Sequence, residues 1–364
     1  MDRLRRFILP GLAFKAVVIG GGYATGREIA EFFLPAGPWG GLAAMLLATA
    51  IWSLVAAATF RFALATGARD YRHFFAGLLG RGWVAFEIAY ALFLVLILAV
   101  FGAAAGAIGA ATLGIAPIAG TLALMLGIVA CVAFGNTGVE RMFVWVSVLL
   151  YATYAAFLVL ALAGFGDRIA AAFAAGAAPS GGGWALGGIT YAGYNIIGAV
   201  VVLPVVRHLR EPRDAVVAGL IAGPLAMLPA LLFFVAMVAF LPDIAGATLP
   251  SDYILSRLGH PGFHLLFQGM IFAALLESGT GAVHAINERV ARAGVRLGAG
   301  GRALAAAALL APCMLIADRI GLVTLIAGGY RLLAWVLILL YVLPLLLTVA
   351  LRRGSPPVPL PETP

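Results

Sequence analysis

Residues 17–33 read VVIGGGYATGREIAEFF. Val17–Ile19 close an apolar run, and four glycines, an arginine and two glutamates follow where an uninterrupted transmembrane helix would continue. Each glycine lowers helix propensity by about 1 kcal/mol relative to alanine, so Gly20, Gly21 and Gly22 in succession predict that a helix ends near Ile19. Thr25-Gly26-Arg27-Glu28 has the spacing of a capping box, with Thr25 as N-cap and Glu28 returning to its backbone N–H. A second helix is therefore expected from Thr25 onward. Unwound backbone at membrane depth is tolerated only where it is buried in protein or lines a cavity. The stretch from Gly20 to Gly26, with Tyr23 and Ala24 inside it, is thus a candidate substrate-binding site. Close helix packing through small residues would explain the glycines but not the capping pattern or the charges.

The rest of the chain supports a membrane setting. Of 364 residues 63% are hydrophobic and only 10% charged, far above the 45–50% apolar content of an ordinary soluble domain. After the first segment, apolar runs recur at about 39–66, 83–112, 117–134, 142–164, 184–206, 215–240, 263–287, 303–317 and 321–351, which makes ten segments. Most exceed the roughly 20 residues needed to cross a hydrocarbon core of about 30 Å. The basic start MDRLRR is not read as a signal peptide, because no small-residue cleavage site follows and the polar TGREIAE continues helically. Cys131 and Cys313 lie in apolar runs without metal-ligand spacing, so neither a disulfide framework nor a metal site is expected.

Orientation follows from the basic residues. With the N-terminus inside, sixteen of the 23 Lys and Arg fall on the inner side and only Arg168, Arg257 and Arg319 on the outer. That asymmetry places both termini in the cytoplasm. The formal charge of +8 is then a topology signal and needs no nucleic-acid partner. A single lysine against 22 arginines, with excess alanine and glycine, fits a GC-rich bacterial genome and hence an inner membrane. The tail RRGSPPVPLPETP, residues 352–364, is expected to be disordered.

The sixth segment carries a second interruption. GGITYAGYN places Gly187, Gly188 and Gly193 around Tyr191, Tyr194 and Asn195, so these residues join the candidate substrate site. Interruptions in segments one and six are the pattern of an all-α protein of ten transmembrane helices built as two inverted five-helix repeats, here residues 1–164 and 165–351, whose first helices meet at the bilayer midplane. An ordinary small-residue packing face remains the alternative for YAGYN.

GGGYATGREIAEFF, YAGYN and the eighth-segment ESGTGAVHAINER together resemble the bacterial YkvI-type membrane proteins, whose first helix carries a similar glycine, aromatic, small residue, Gly-x-Glu-Ile pattern. Those are similar to the amino acid/polyamine/organocation superfamily of secondary transporters with the LeuT-type fold. The resemblance spans nearly the whole chain in segment number and order. It implies an ion-coupled transporter without supplying a substrate.

Ionisable residues inside the membrane cost roughly 2.5–3.5 kcal/mol each at its centre and are functional candidates by default. Lys15, Glu28, Glu31, Glu277 and Arg331 are the ones singled out. Glu277, Thr280, Gly281, His284, Asn287 and Glu288 form one helical stripe along segment eight. The resemblance implies that hydroxyls there, Ser278 and Thr280, join first-segment carbonyls around a sodium ion. Glu277 beside them suggests a proton site instead, with Lys15 counted in the same set, and a purely structural pair of Glu277 with Lys15 or an arginine is the alternative. Glu31 or Glu28 with Arg331 is the expected outer gate, closed by a bidentate carboxylate clamp. No enzyme arrangement is present and no organic cofactor is expected, the coupling ion being a proton or sodium. The favoured function is secondary active transport of a small polar solute, an amino acid or amine, by alternating access. A small-molecule-sensing receptor subunit of the same fold is the alternative.

Overall fold

The computed structural model describes residues 4–134, 136–176, 182–292 and 298–351. Residues 352–364, the expected disordered tail, lie outside them. The described residues contain helices and no strands. The first segment is divided into α1 (Leu9–Val18), α2 (Gly21–Ala24) and α3 (Arg27–Phe32); α4 (Gly37–Thr66) follows as segment two. A short helix α5 (Tyr71–Leu79) leads into α6 (Trp83–Leu113), α7 (Pro117–Phe134) and α8 (Asn136–Ala175), segments three to five. Segment six is α9 (Gly183–Asn195) and α10 (Gly198–Val201), and segment seven is α11 (Pro212–Val238). A second short helix, α12 (Pro250–Leu258), precedes α13 (Pro261–Arg292) and α14 (Ala299–Ile320). Segment ten joins α15 (Leu322–Thr324), α16 (Arg331–Leu337) and α17 (Leu343–Leu351) through two π-helical turns, Leu325–Tyr330 and Ile338–Val342. Eight of these segments are long and apolar enough to span a bilayer, and Pro117–Ala133 is a shorter apolar helix. With the divided first segment they make the expected ten.

The core is a bundle of segments one, two, six and seven. Its most extensive interface is α4 against α11. Gly219 and Gly223 make it possible: a Cβ at the first would collide with the Ala57 backbone, and at the second with Ser53 Oγ and Thr49 O. Small residues let membrane helices approach this closely. The packing repeats in pairs. Segment one packs on seven as six packs on two, and three packs on nine as four packs on eight. The short helices repeat too, since α5 follows segment two and α12 follows segment seven. Two five-helix repeats related by inversion produce this pairing.

Neither short helix is anticipated by the apolar runs, because each is amphipathic and too short to span. Asp70 caps α5 by accepting from His73 N at 2.9 Å, and the helix buries Phe74 and Phe75.

Both interruptions exist, with boundaries that differ from expectation. In segment one, α1 ends at Val18 and Gly20 N donates back to Val18 O at 2.8 Å, but Gly21–Ala24 rewinds into one helical turn. A second break follows at Thr25–Gly26, where Gly26 has φ +77°. The capping box does not form. Gly26 occupies the N-cap position of α3 without a side-chain cap, while Thr25 Oγ1 donates to Gly22 O at 2.9 Å and accepts from Arg27 N at 3.4 Å. In segment six, α9 runs unbroken through Tyr191 and Tyr194, and the irregular turn falls at Ile196–Ile197. The glycines before it serve close packing. A Cβ on Gly188 would meet Ala44 O at 2.6 Å, and one on Gly193 would meet Ile338 Cδ1 at 2.9 Å.

Candidate functional site

A cavity of about 350 Å³ lies where the two interrupted segments meet α6, α13 and segment ten. Segment one contributes Ala16, Val17, Val18, Gly20 and Glu28; α6 contributes Tyr90, Phe93, Leu94, Ile97 and Phe101. From segment six come Tyr194, Asn195, Ile197 and Val201, from α13 Glu277, Ser278, Gly281 and Ala282, and from segment ten Tyr330. The half of α6 used is its first half, the half of α13 its second, and the part of segment six its end. In the alternating path of the chain these all lie toward the side that carries the N-terminus, so the cavity extends to that side of the breaks.

Glu28 is the central polar group. It is only 4% exposed. Its Oε2 accepts a hydrogen bond from Tyr194 Oη at 2.6 Å, and its Oε1 occupies the space where a side chain on residue 22 would begin, so Gly22 makes room for it. Tyr194 in turn stacks on Tyr330 with ring centroids 4.4 Å apart. Successive helical residues point about 100° apart, and the neighbouring Arg27 accordingly faces elsewhere. Arg27 Nη1 donates to Ala245 O at 3.0 Å and Ala247 O at 2.8 Å, and its Nη2 pairs with Glu31 at 3.0 Å. The loop leading into α12 is thereby tied to the first segment, and Ser251 N adds a bond to Thr25 O at 3.0 Å. Glu28 is left without a described cationic partner. A buried carboxylate in that position is neutralised by a proton or by a cation that enters the site.

Of the expected site residues, the structure gathers Gly20, Tyr194, Asn195, Glu277, Ser278 and Glu28 around the cavity. Glu28 is placed there as a lining residue and not beside Arg331, which reaches Glu31 at 3.4 Å. Gly22, Tyr23, Ala24, Thr25 and Gly26 shape the break and are not among the described residues that line the cavity, and Gly21 is described only as the start of α2. Tyr23 Oη donates to Ala226 O at 3.4 Å, and Tyr154 Oη donates to Ala24 O at 3.3 Å. Tyr191 is wedged between Phe33 and Trp52, with centroids at 4.7 and 5.4 Å, and its hydroxyl has no partner among the described residues. Gly193 faces α16. Lys15 sets its ammonium 3.2 Å from the centroid of the Tyr151 ring and does not line the cavity with Glu277. Thr280 Oγ1 donates to Leu276 O at 2.7 Å and is not among the lining residues, so Ser278 alone of the expected hydroxyl pair faces the space. Among the described residues no group of three or more His, Cys, Asp or Glu is placed to hold a metal.

Tyr330 and the α6 wall were missed. The wall was legible as an aromatic stripe, since Tyr90, Phe93, Ile97 and Phe101 recur at spacings of three and four.

A chain with ten membrane segments, paired inverted packing and interruptions in segments one and six has the LeuT-type fold, and it is an integral membrane protein. Solved structures bear this out. MhsT in complex with L-phenylalanine matches with a TM-score of 0.65 and 20% identity, covering 96% of this chain and 88% of that one. The substrate-bound, outward-open Na+-coupled sialic acid symporter matches at 0.62 and 15%, covering 95% and 84%. Mhp1, a nucleobase-cation-symport-1 family transporter, closed with bromovinylhydantoin bound, matches at 0.62 and 16%, covering 96% and 78%. At these identities the likeness is one of fold. Neither a protein-family model nor a curated protein matches the sequence.

Proposed function

We propose that the chain is an ion-coupled secondary active transporter of a small polar solute, working by alternating access in a bacterial inner membrane. The observation that carries this reading is a buried carboxylate, Glu28, in an aromatic cavity formed where two interrupted helices meet. The fold neighbours are themselves described as transporters or symporters, which supports the class. Residues 1–164 and 165–351 are assigned as the two repeats. With arginines concentrated on the N-terminal side, that side is cytoplasmic, and the conformation described is open inward and closed outward by Arg27, Glu31 and Arg331. Glu277 beside Ser278 is assigned as the coupling-ion site, with a proton favoured because an intramembrane carboxylate is costly to keep if hydroxyls and carbonyls suffice. Sodium held by Ser278, Thr280 and first-segment carbonyls is the competing assignment.

Uptake of amino acids and amines into proteoliposomes under an imposed proton or sodium gradient tests the reading. Glu277→Gln should abolish proton-driven uptake while leaving substrate exchange partly active. Uptake under neither gradient, in a protein that still binds a solute, would replace transport with sensing.

A further inference from the structure

Among the described residues the cavity lining holds two carboxylates, Glu28 and Glu277, and no lysine, arginine or histidine. The basic groups nearest in the chain are engaged elsewhere: Lys15 on the Tyr151 ring, Arg27 on Ala245 O, Ala247 O and Glu31, and Arg331 on Glu31. The remaining walls are apolar or aromatic, with Tyr90, Phe93, Phe101, Tyr194 and Tyr330 in them. An entering carboxylate meets like charge in a volume that offers no cation to pair it. An ammonium group meets a counter-ion, and aromatic faces attract it further.

Taking the cavity as a solute site, as proposed above, we infer that its ligand is an alkylammonium cation without a carboxylate, with Glu28 as its counter-ion. Tyr194 of α9 donates to Glu28, and the other described ionisable groups near enough to feel its charge are Tyr23 from α2, Tyr154 from α8, Tyr191 from α9 and Tyr330 from segment ten, with Glu277 of α13 on the same cavity. None is basic, so the charge on Glu28 is balanced either by a proton or by the ligand. Binding of R–NH3+ to the protonated site therefore releases that proton to water and leaves an ammonium–carboxylate pair, with Tyr194 Oη still donating to the carboxylate. Amine binding weakens as pH falls.

Calorimetry on the purified full chain in lipid nanodiscs, across pH and in buffers of different ionisation enthalpy, tests this with three matched probes: n-butylamine, L-norvaline and valerate. Butylamine should bind with release of up to one proton, norvaline about tenfold more weakly or worse, and valerate not at all. Glu28→Gln should weaken butylamine binding by about tenfold to a hundredfold and remove its pH dependence, whereas Glu28→Asp should weaken binding and keep the pH dependence. Tighter binding of norvaline or valerate, no binding by any probe, or a Glu28→Gln variant with unchanged affinity and pH dependence would each overturn the inference. Gradient-driven uptake of norvaline that does not depend on Glu28 would overturn it and leave the transporter reading intact. Binding of butylamine as described without uptake in proteoliposomes would do the opposite.

Discussion

Gly22 and Glu28 are best understood as one unit. The carboxylate fits only because residue 22 has no side chain, so Gly22→Ala forces the two apart and should cost about 1–3 kcal/mol of stability. At Gly20 an added Cβ would sit 3.5 Å from the Phe101 ring, an ordinary contact, and Gly20→Ala should cost less. Thermal unfolding of the two variants in detergent compares them directly, and equal losses would show that the glycines act only through helix packing. Tyr191 allows the reverse experiment. Its buried hydroxyl has no partner among the described residues, and an unsatisfied buried group is penalised by about 1–3 kcal/mol. Tyr191→Phe should therefore hold or raise the melting temperature, with solute binding retained; loss of binding would return Tyr191 to the substrate site.

Among the elements, the glycine triplet was legible because its cost to a helix is local. The second break was not. It depends on Gly26 adopting φ +77° beneath the Phe233 ring, which nothing in the local sequence specifies. Thr25-x-x-Glu28 has the capping pattern, but a hydroxyl donor 166 residues away, Tyr194, holds the carboxylate that the box would have used. The YAGYN glycines failed as break markers for a similar reason, since contact with the Ala44 carbonyl and with Ile338 keeps α9 wound through them. Gly26→Ala combines a conformation that costs L-residues roughly 1–2 kcal/mol with a clash against Phe233, and it should lower the melting temperature more than Gly20→Ala does. On the side that carries the N-terminus Arg6 grips Asp214 at 2.6 Å, while Asp214 and Glu211 form a capping box at the start of α11. This contact ties the N-terminal stretch to segment seven.

For the molecule as a whole, the proposed outer closure rests on a three-member cluster, where the sequence predicts a simple pair. Arg331 is half-exposed and reaches Glu31 at 3.4 Å, whereas Arg27 is buried and holds both Glu31 and the loop into α12. Exposed ion pairs contribute only about 0–1 kcal/mol. Arg331→Ala should accordingly change initial uptake rates less than Arg27→Ala, and a Glu31→Arg, Arg331→Glu exchange should fail to restore turnover because Arg27 would then face a new arginine. Full rescue by the exchange would remove Arg27 from the closure. The proposed inward opening makes a separate prediction: a cysteine at Ala282, in a background without Cys131 and Cys313, should react with a membrane-impermeant thiol reagent from the cytoplasmic side only.

The first π-helical turn of segment ten, Leu325–Tyr330, ends next to Arg331. A π turn holds one residue more than an α turn, so it takes up a surplus residue while the helix on either side keeps its phase. A second surplus residue, an alanine inserted after Tyr330 where the widened turn ends, finds no such slack and would rotate the two ends of the segment against each other by about 100°. Tyr330 could then no longer lie over Tyr194 while the helix after it kept its seat on α9. The widened turn thus acts as the pin that keys segment ten to the carboxylate site, and a single-codon insertion there should abolish solute binding while the chain still inserts and folds.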